Sequence, residues 1–273
     1  MKQTVAGAQL TKPWLFFMAT YGWTWFFWGM AYLMGVSGET EGILGPSLIL
    51  LGLAGPMVMS MTSLYLNHSK EEQREYWKRI ADFKRISFKW WLLILFLMPA
   101  ITIFAGYLSG HWEHYRFASI LPSLGLTIFV TPLVPFLEEL GWRGYVLDCL
   151  QKRYSALASS LILGTAWALW HLPVFFLKGS VFSLAGVGSL AFWLYFVNLV
   201  TLSVLFTWIY NNTERSILSA IIFHTILEIM GHFDFWPAFS SKVVYNSVLL
   251  LLVVIGIVIF WGPKRLLVCK DRE

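Results

Sequence analysis

Charge is scarce in this sequence. Only 13% of its 273 residues are Asp, Glu, Lys or Arg, against about 25% in ordinary soluble domains, and 58% are hydrophobic, with a mean hydropathy of +0.65. That balance excludes a water-soluble globule and points to a membrane protein. Cysteine is nearly absent: Cys149 and Cys269 cannot build a disulfide framework, and no paired-cysteine metal motif exists. Long polar segments are missing too, so residues 1–273 read as a single membrane-embedded domain without internal repeats. HExxH, GxSxG and paired catalytic aspartates on glycine-rich helices are all lacking, which removes the common hydrolase signatures.

What the chain has instead is a series of apolar stretches near the ~20 residues that cross a bilayer. They fall at 14–36, 43–66, 90–109, 120–140, 155–177, 181–210, 217–230 and 243–261. The expected fold is therefore all-α and polytopic, with about eight transmembrane helices enclosing an intramembrane polar site. The first stretch is too long for a signal-peptide core and lacks an obvious cleavage site, so it is expected to be retained.

With eight spans, nearly all lysines and arginines fall on one side, from Lys2 and Lys12 through Lys70–Lys89 to Arg215 and Arg272, while only Arg116, Lys178 and Lys242 fall on the other. Positive charge prefers the cytoplasmic side, so both termini are expected there. The basic connector 67–89, interspersed with Tyr76, Trp77, Ile80 and Phe83, reads as an amphipathic helix on anionic headgroups. Membrane lipid rather than nucleic acid thus accounts for the net charge of +5. In the absence of an organelle signal the protein is expected in the plasma membrane of a prokaryote, with both cysteines facing the reducing compartment.

Three acids, Glu138, Glu139 and Glu228, and two histidines, His171 and His224, lie inside apolar spans rather than in loops or at span ends. An ionisable group at a span centre costs about 2.5–3.5 kcal/mol on insertion scales and marks function by default. Glu139 and Arg143 are four apart, share a helix face and can neutralise one another. Glu138, rotated about 100° away, is left for chemistry. If 120–153 is one helix and Ser155 starts the next, Glu138 and His171 both sit roughly 22–24 Å from the turn and come level. His224 and Glu228 share a face four residues apart, as do Trp167 and His171. His224 lies only about 12 Å beyond Arg215, so the first hairpin has to project past the membrane edge for the levels to match.

Each feature has a plain structural reading as well: Glu139–Arg143 as scaffold, a lone histidine as glue between helices, and the tryptophans as interface and packing residues. Together the cluster suits activation of water, with a glutamate as general base, a histidine relaying the proton, and further groups stabilising an oxyanion. Two histidines and a glutamate are equally a zinc set. The cofactor is thus either none or a divalent metal such as zinc, held by His171, His224, Glu228 and Glu138. A proton-coupled transporter also uses intramembrane acids and histidines.

Glu138, Glu139 and Arg143 resemble the EExxxR motif of the CPBP family, the membrane-embedded CAAX proteases and bacteriocin-processing enzymes related to the Ras-converting endopeptidase. Trp167 to His171 is similar to that family's FxxxH motif, and His224 to Glu228 to its HxxxN or HxxxB motif; the resemblance spans 131–231. It implies an eight-helix intramembrane endopeptidase cutting after an isoprenylated cysteine, its partner a prenylated or membrane-bound peptide. It further implies that Glu138 is the base, His171 orients the same water, Glu139 and Arg143 support the site, and His224 with residue 228 holds the oxyanion. Two residues depart. Trp167 replaces Phe and keeps an aromatic wall. Glu228 replaces Asn, and an ionised carboxylate cannot donate to an oxyanion, so Glu228 is expected to be protonated, as carboxyls in apolar sites can be. Metal binding at 228, or a non-catalytic scaffold or bacteriocin-immunity protein, are the alternatives.

Overall fold

The computed structural model describes residues 12–36, 42–110, 129–177, 180, 182–183, 186–233 and 241–267. The expectations placed on Lys2, Arg116, Lys178 and Cys269, and on the start of the fourth span, lie outside the described residues. Among those residues there is no strand.

Helix α1 (Pro13–Leu33) opens with proline at its first turn, where a missing N–H costs nothing. Helices α2 (Leu44–Leu53) and α3 (Gly55–Asn67) are bent by 46° at the break between them. Pro56 has no N–H to offer the Gly52 carbonyl, and α1 answers that carbonyl instead: Thr24 Oγ1 donates to it at 2.7 Å. Trp23 Nε1 donates to Leu51 O at 2.8 Å and Trp28 Nε1 to Ile49 O at 3.1 Å. The bend is thereby stapled to α1.

The polar connector folds as α4 (Lys70–Ala81), started by a capping box of Ser69 and Glu72. The Ser69 backbone N–H holds the Glu72 carboxyl below its usual range. Gln73, Tyr76 and Arg79 form its buried face, while Trp77 and Phe83 are exposed. Helix α5 (Phe88–Leu108) follows.

The next helical segment is α6 (Leu133–Gly141), a π turn (Trp142–Val146) and α7 (Leu147–Gln151), running on without a loop. Ser155 Oγ caps α8 (Ala156–Trp170), accepting from Ala158 N at 3.2 Å. A 3₁₀ turn (Leu172–Phe175), α9 (Leu190–Asn212), α10 (Ile217–Phe233) and α11 (Ser241–Trp261) complete the described chain.

Among the described residues four helices are long and apolar enough to cross a membrane: Phe88–Leu108, Ala156–Phe175, Leu190–Asn212 and Lys242–Trp261; the bent α2–α3 pair makes a fifth if it is one span. Against the expected eight, α1 has the length but is rich in Trp and Tyr, the α6–α7 segment carries four charged residues, Glu138, Glu139, Arg143 and Asp148, and α10 is short. The protein is an integral membrane protein of helices.

Close approach of backbones brings the central helices together. A Cβ on Gly164 of α8 would sit 2.7 Å from Val200 Cα and 2.8 Å from Ser203 Cβ of α9, and one on Gly141 would sit 2.5 Å from the Pro56 carbonyl oxygen. Small residues at such crossings let helices in lipid pack tightly. Helix α10 packs against α5 and α6. Glu138, Glu139 and Arg143 of the α6 segment and His224 of α10 are thus enclosed, with α9 as a further wall.

Candidate active site

Glu138 and Glu139 are 2% and 0% exposed, Arg143 0% and His224 4%. Four ionisable groups shut away from solvent are costly unless paired; the pairings meet on one Glu139 oxygen, while Glu139 Oε2 and Arg143 Nε and Nη2 have no hydrogen-bond partner among the described residues. Arg143 Nη1 donates to Glu139 Oε1 at 2.7 Å, as the i,i+4 spacing implies. His224 Nδ1 lies 2.8 Å from the same oxygen. Because a carboxylate only accepts, that nitrogen carries the hydrogen. Glu139 therefore both binds Arg143 and fixes the imidazole tautomer of His224, a second role that spacing along one helix could not reveal.

The Arg143 guanidinium lies 3.8 Å from the Phe206 ring centroid and 4.7 Å from that of Trp167. Cation–π contact takes up the faces of the charge where hydrogen bonds do not. The π turn beginning at Trp142 carries this arginine. A π turn loosens the normal ladder of the helix, and α4 supplies side-chain donors there: Tyr76 Oη donates to Leu140 O at 2.7 Å and Arg79 Nη2 to Gly144 O at 3.0 Å.

Trp167 has more than the aromatic wall expected of it. Its Nε1 donates to Glu138 Oε2 at 2.8 Å, so Glu138, expected to be left over for chemistry, has one oxygen held by the indole. Phenylalanine could not make that bond. The ring also stands edge to face with His224 at 5.4 Å and with His171 at 5.9 Å between centroids. Trp167 is the hub at which the contributions of α6, α8 and α10 meet.

His171 sits not within α8 but at its C-cap, where its Nδ1 donates to Trp167 O at 2.9 Å. In the neutral ring this leaves the Nε2 lone pair as the proton-accepting position. Trp170 packs on it at 4.6 Å and Tyr195 of α9 at 5.7 Å. Glu228 differs most from expectation: its side chain is 44% exposed rather than enclosed, and its Oε1 lies 3.6 Å from His224 Nε2, beyond hydrogen-bond length.

A metal was one expectation for His171, His224, Glu228 and Glu138. Among the described residues no three such groups are arranged to hold an ion. Nδ1 of each histidine is committed, to Glu139 and to a backbone carbonyl, and Trp167 occupies one Glu138 oxygen, which leaves Nε2 as the open nitrogen of each ring.

Sequence reading missed a second polar cluster one turn beyond the π turn. Asp148 accepts from Arg79 Nη1 at 2.8 Å, from Tyr210 Oη at 3.1 Å and from Arg215 Nε at 3.0 Å, although it was assigned to a span end in reach of water. Its position five residues after Arg143, in a segment otherwise poor in acids, was the available signal.

Comparison with known proteins gives the family. A model of the Rce1-like type II CAAX prenyl endopeptidases matches residues 120–230, the stretch that contains Glu138, Glu139, Arg143, Trp167, His171, His224 and Glu228. The CAAX prenyl protease 2 of Methanococcus maripaludis is 30% identical over 230 residues, covering 80% of this chain and 83% of that protein. The chain belongs to the Rce1-like family of CAAX prenyl endopeptidases.

Proposed function

We propose that the protein is an intramembrane endopeptidase that hydrolyses a peptide bond beside a lipid-modified cysteine, using water activated by Glu138 and His171. Eight membrane crossings, with α1, the segment ending at α7, and α10 joining the five that meet the length criterion, and both termini in the cytoplasm of a prokaryotic cell, complete the reading. The observation that carries it is the burial of Glu138 against Trp167, whose ring stands edge to face with both imidazoles. The indole fixes one carboxylate oxygen and leaves the other for water, while His171 keeps Nε2 for the same water. General-base catalysis of this kind contributes roughly 10²–10⁴-fold.

The remaining groups take supporting parts. Glu139, itself held by Arg143, takes the Nδ1 hydrogen of His224, so Nε2 has a hydrogen to give the reacting carbonyl when the ring is doubly protonated. An apolar groove of about 470 Å³ lined by Leu50, Leu51, Ala54, Leu133 and Leu137 opens between α2 and α6; Leu137 is the neighbour of Glu138 in the chain, and the lining suits an isoprenoid or other lipid tail. The helix α4 and its basic flanks, with Trp77 and Phe83 exposed, suit anionic headgroups.

One observation favours the second reading, a membrane scaffold or immunity protein that kept the fold without the reaction: a carboxylate stands at 228 where the family has an amide. The test uses purified protein in liposomes with a farnesylated CAAX peptide, following the released tripeptide by mass spectrometry. Cleavage by the parent and none by Glu138→Ala is the expected result. Equal behaviour of the two selects the scaffold.

A further inference from the structure

Trp167 stands in two relations to the groups assigned to water. Its indole Nε1 donates to Glu138 Oε2 at 2.8 Å, and Glu138 makes no other hydrogen bond or ion pair among the described residues. A buried carboxylate with a single donor takes its orientation from that donor. The main-chain carbonyl of Trp167 accepts from His171 Nδ1 at 2.9 Å. It is open to the ring because the helix tightens at its end: the His171 N–H goes to Ala168 O at 3.2 Å, three residues back rather than four. Glu138 comes from α6 and His171 from the end of α8, yet both take their bearing from one residue.

That residue is itself clamped. Its ring is 2% exposed, with the Arg143 guanidinium 4.7 Å from its centroid and Phe206 and His224 edge to face at 5.8 and 5.4 Å. On either side of it in the chain, α1 holds the last turn of α8. Tyr21 Oη donates to Ala166 O at 2.6 Å, Trp25 Nε1 to Trp170 O at 3.1 Å, and Trp170 Nε1 to Thr24 Oγ1 at 2.8 Å. Backbone and ring are both fixed, so the direction of the indole N–H is fixed as well.

We infer that Trp167 is the positioning residue of the hydrolytic pair: its N–H decides which Glu138 oxygen faces the water, and its carbonyl decides which His171 nitrogen does. The inference deepens the protease reading above and rests on it. It separates two tasks of one side chain. The ring packs, as phenylalanine also can; the N–H aims the base, which phenylalanine cannot do. Without the indole hydrogen the Glu138 carboxylate turns within its enclosure, and a reacting group misplaced by about 1 Å costs on the order of 10²-fold in rate. Contacts that bind the peptide are untouched, so the cost falls on kcat and not on KM. The indole keeps its hydrogen throughout and acts through Glu138.

The experiment compares parent, Trp167→Phe, Trp167→benzothienylalanine and Glu138→Ala in liposomes on the farnesylated peptide, with thermal unfolding as the fold control. Benzothienylalanine keeps the fused ring and puts sulfur where the indole has its N–H, so it removes the donor and spares the packing. This variant is expected to unfold with the parent, to keep KM within about threefold, and to lose at least tenfold in kcat, toward about 10²-fold. Trp167→Phe is expected to lose at least as much. A benzothienyl variant that loses less than tenfold, or whose loss lies in KM or in thermal unfolding, reduces Trp167 to packing and overturns the assignment, while an inactive Glu138→Ala leaves the protease reading standing. A parent no faster than Glu138→Ala overturns both.

Discussion

Replacing Arg143 by methionine asks how much of the fold depends on the buried charges. Methionine keeps the unbranched stem and much of the volume, so the change is mainly electrical. It leaves the Glu139 carboxylate, 0% exposed, with His224 as its one remaining partner, and it removes the guanidinium that rests 3.8 Å from the Phe206 centroid. Breaking one member of a buried pair costs about 3–5 kcal/mol, roughly two to three and a half powers of ten in the folding equilibrium at 1.4 kcal/mol per tenfold. That is a large part of a total stability of about 5–15 kcal/mol. Glu139→Gln/Arg143→Met removes both charges, and more than half of the loss is expected to return, because the penalty belongs to the orphaned carboxylate and not to the missing bond. Detergent-titration unfolding followed by tryptophan fluorescence measures all four corners of the cycle. A single variant within about 1 kcal/mol of the parent, or a double variant that loses the sum of the two singles, refutes the reasoning.

Three further outcomes follow from the same coordinates. Glu228→Asn is expected to raise kcat, since the amide supplies a donor that does not depend on the state of His224; a fall as deep as that of Glu138→Ala contradicts this. Gly164→Ala drives a methyl to 2.7 Å from Val200 Cα and is expected to destabilise by about 1–3 kcal/mol as an overpacked contact; unchanged unfolding would show that α8 and α9 can separate freely. Because no three of these groups are arranged around a common point among the described residues, EDTA is expected to leave peptide cleavage intact and elemental analysis to find less than stoichiometric zinc; inhibition reversed by added zinc would contradict a glutamate-dependent mechanism.

The sequence made the site legible through rarity. Glu138, Glu139, His171 and His224 stood out because ionisable residues inside apolar segments are costly, and the i,i+4 rule predicted Glu139 with Arg143 correctly. It could not predict His224 on the same oxygen, since that contact joins residues 85 positions apart. Trp167 was legible as an aromatic and not as a donor: one-dimensional pattern carries ring type, while the direction of Nε1 is set by packing. The helical class was plain from composition, but hydropathy cannot register the π turn at Trp142–Val146 or the break before Pro56, both of which depend on partners from α4 and α1. Asp148 escaped because proximity to a span end was equated with water, whereas the folded chain surrounds it with Arg79, Tyr210 and Arg215.

Tyr76 and Arg79, reaching in from outside the apolar layer, furnish donors to the irregular turn that carries Arg143. If α4 lies on the lipid surface as proposed above, anything that lifts residues 70–81 away from it withdraws two hydrogen bonds from a segment that sets the angle of a buried guanidinium. Sensitivity of turnover to bilayer surface charge would then need no regulatory domain. It would be transmitted through two side chains of the amphipathic connector helix.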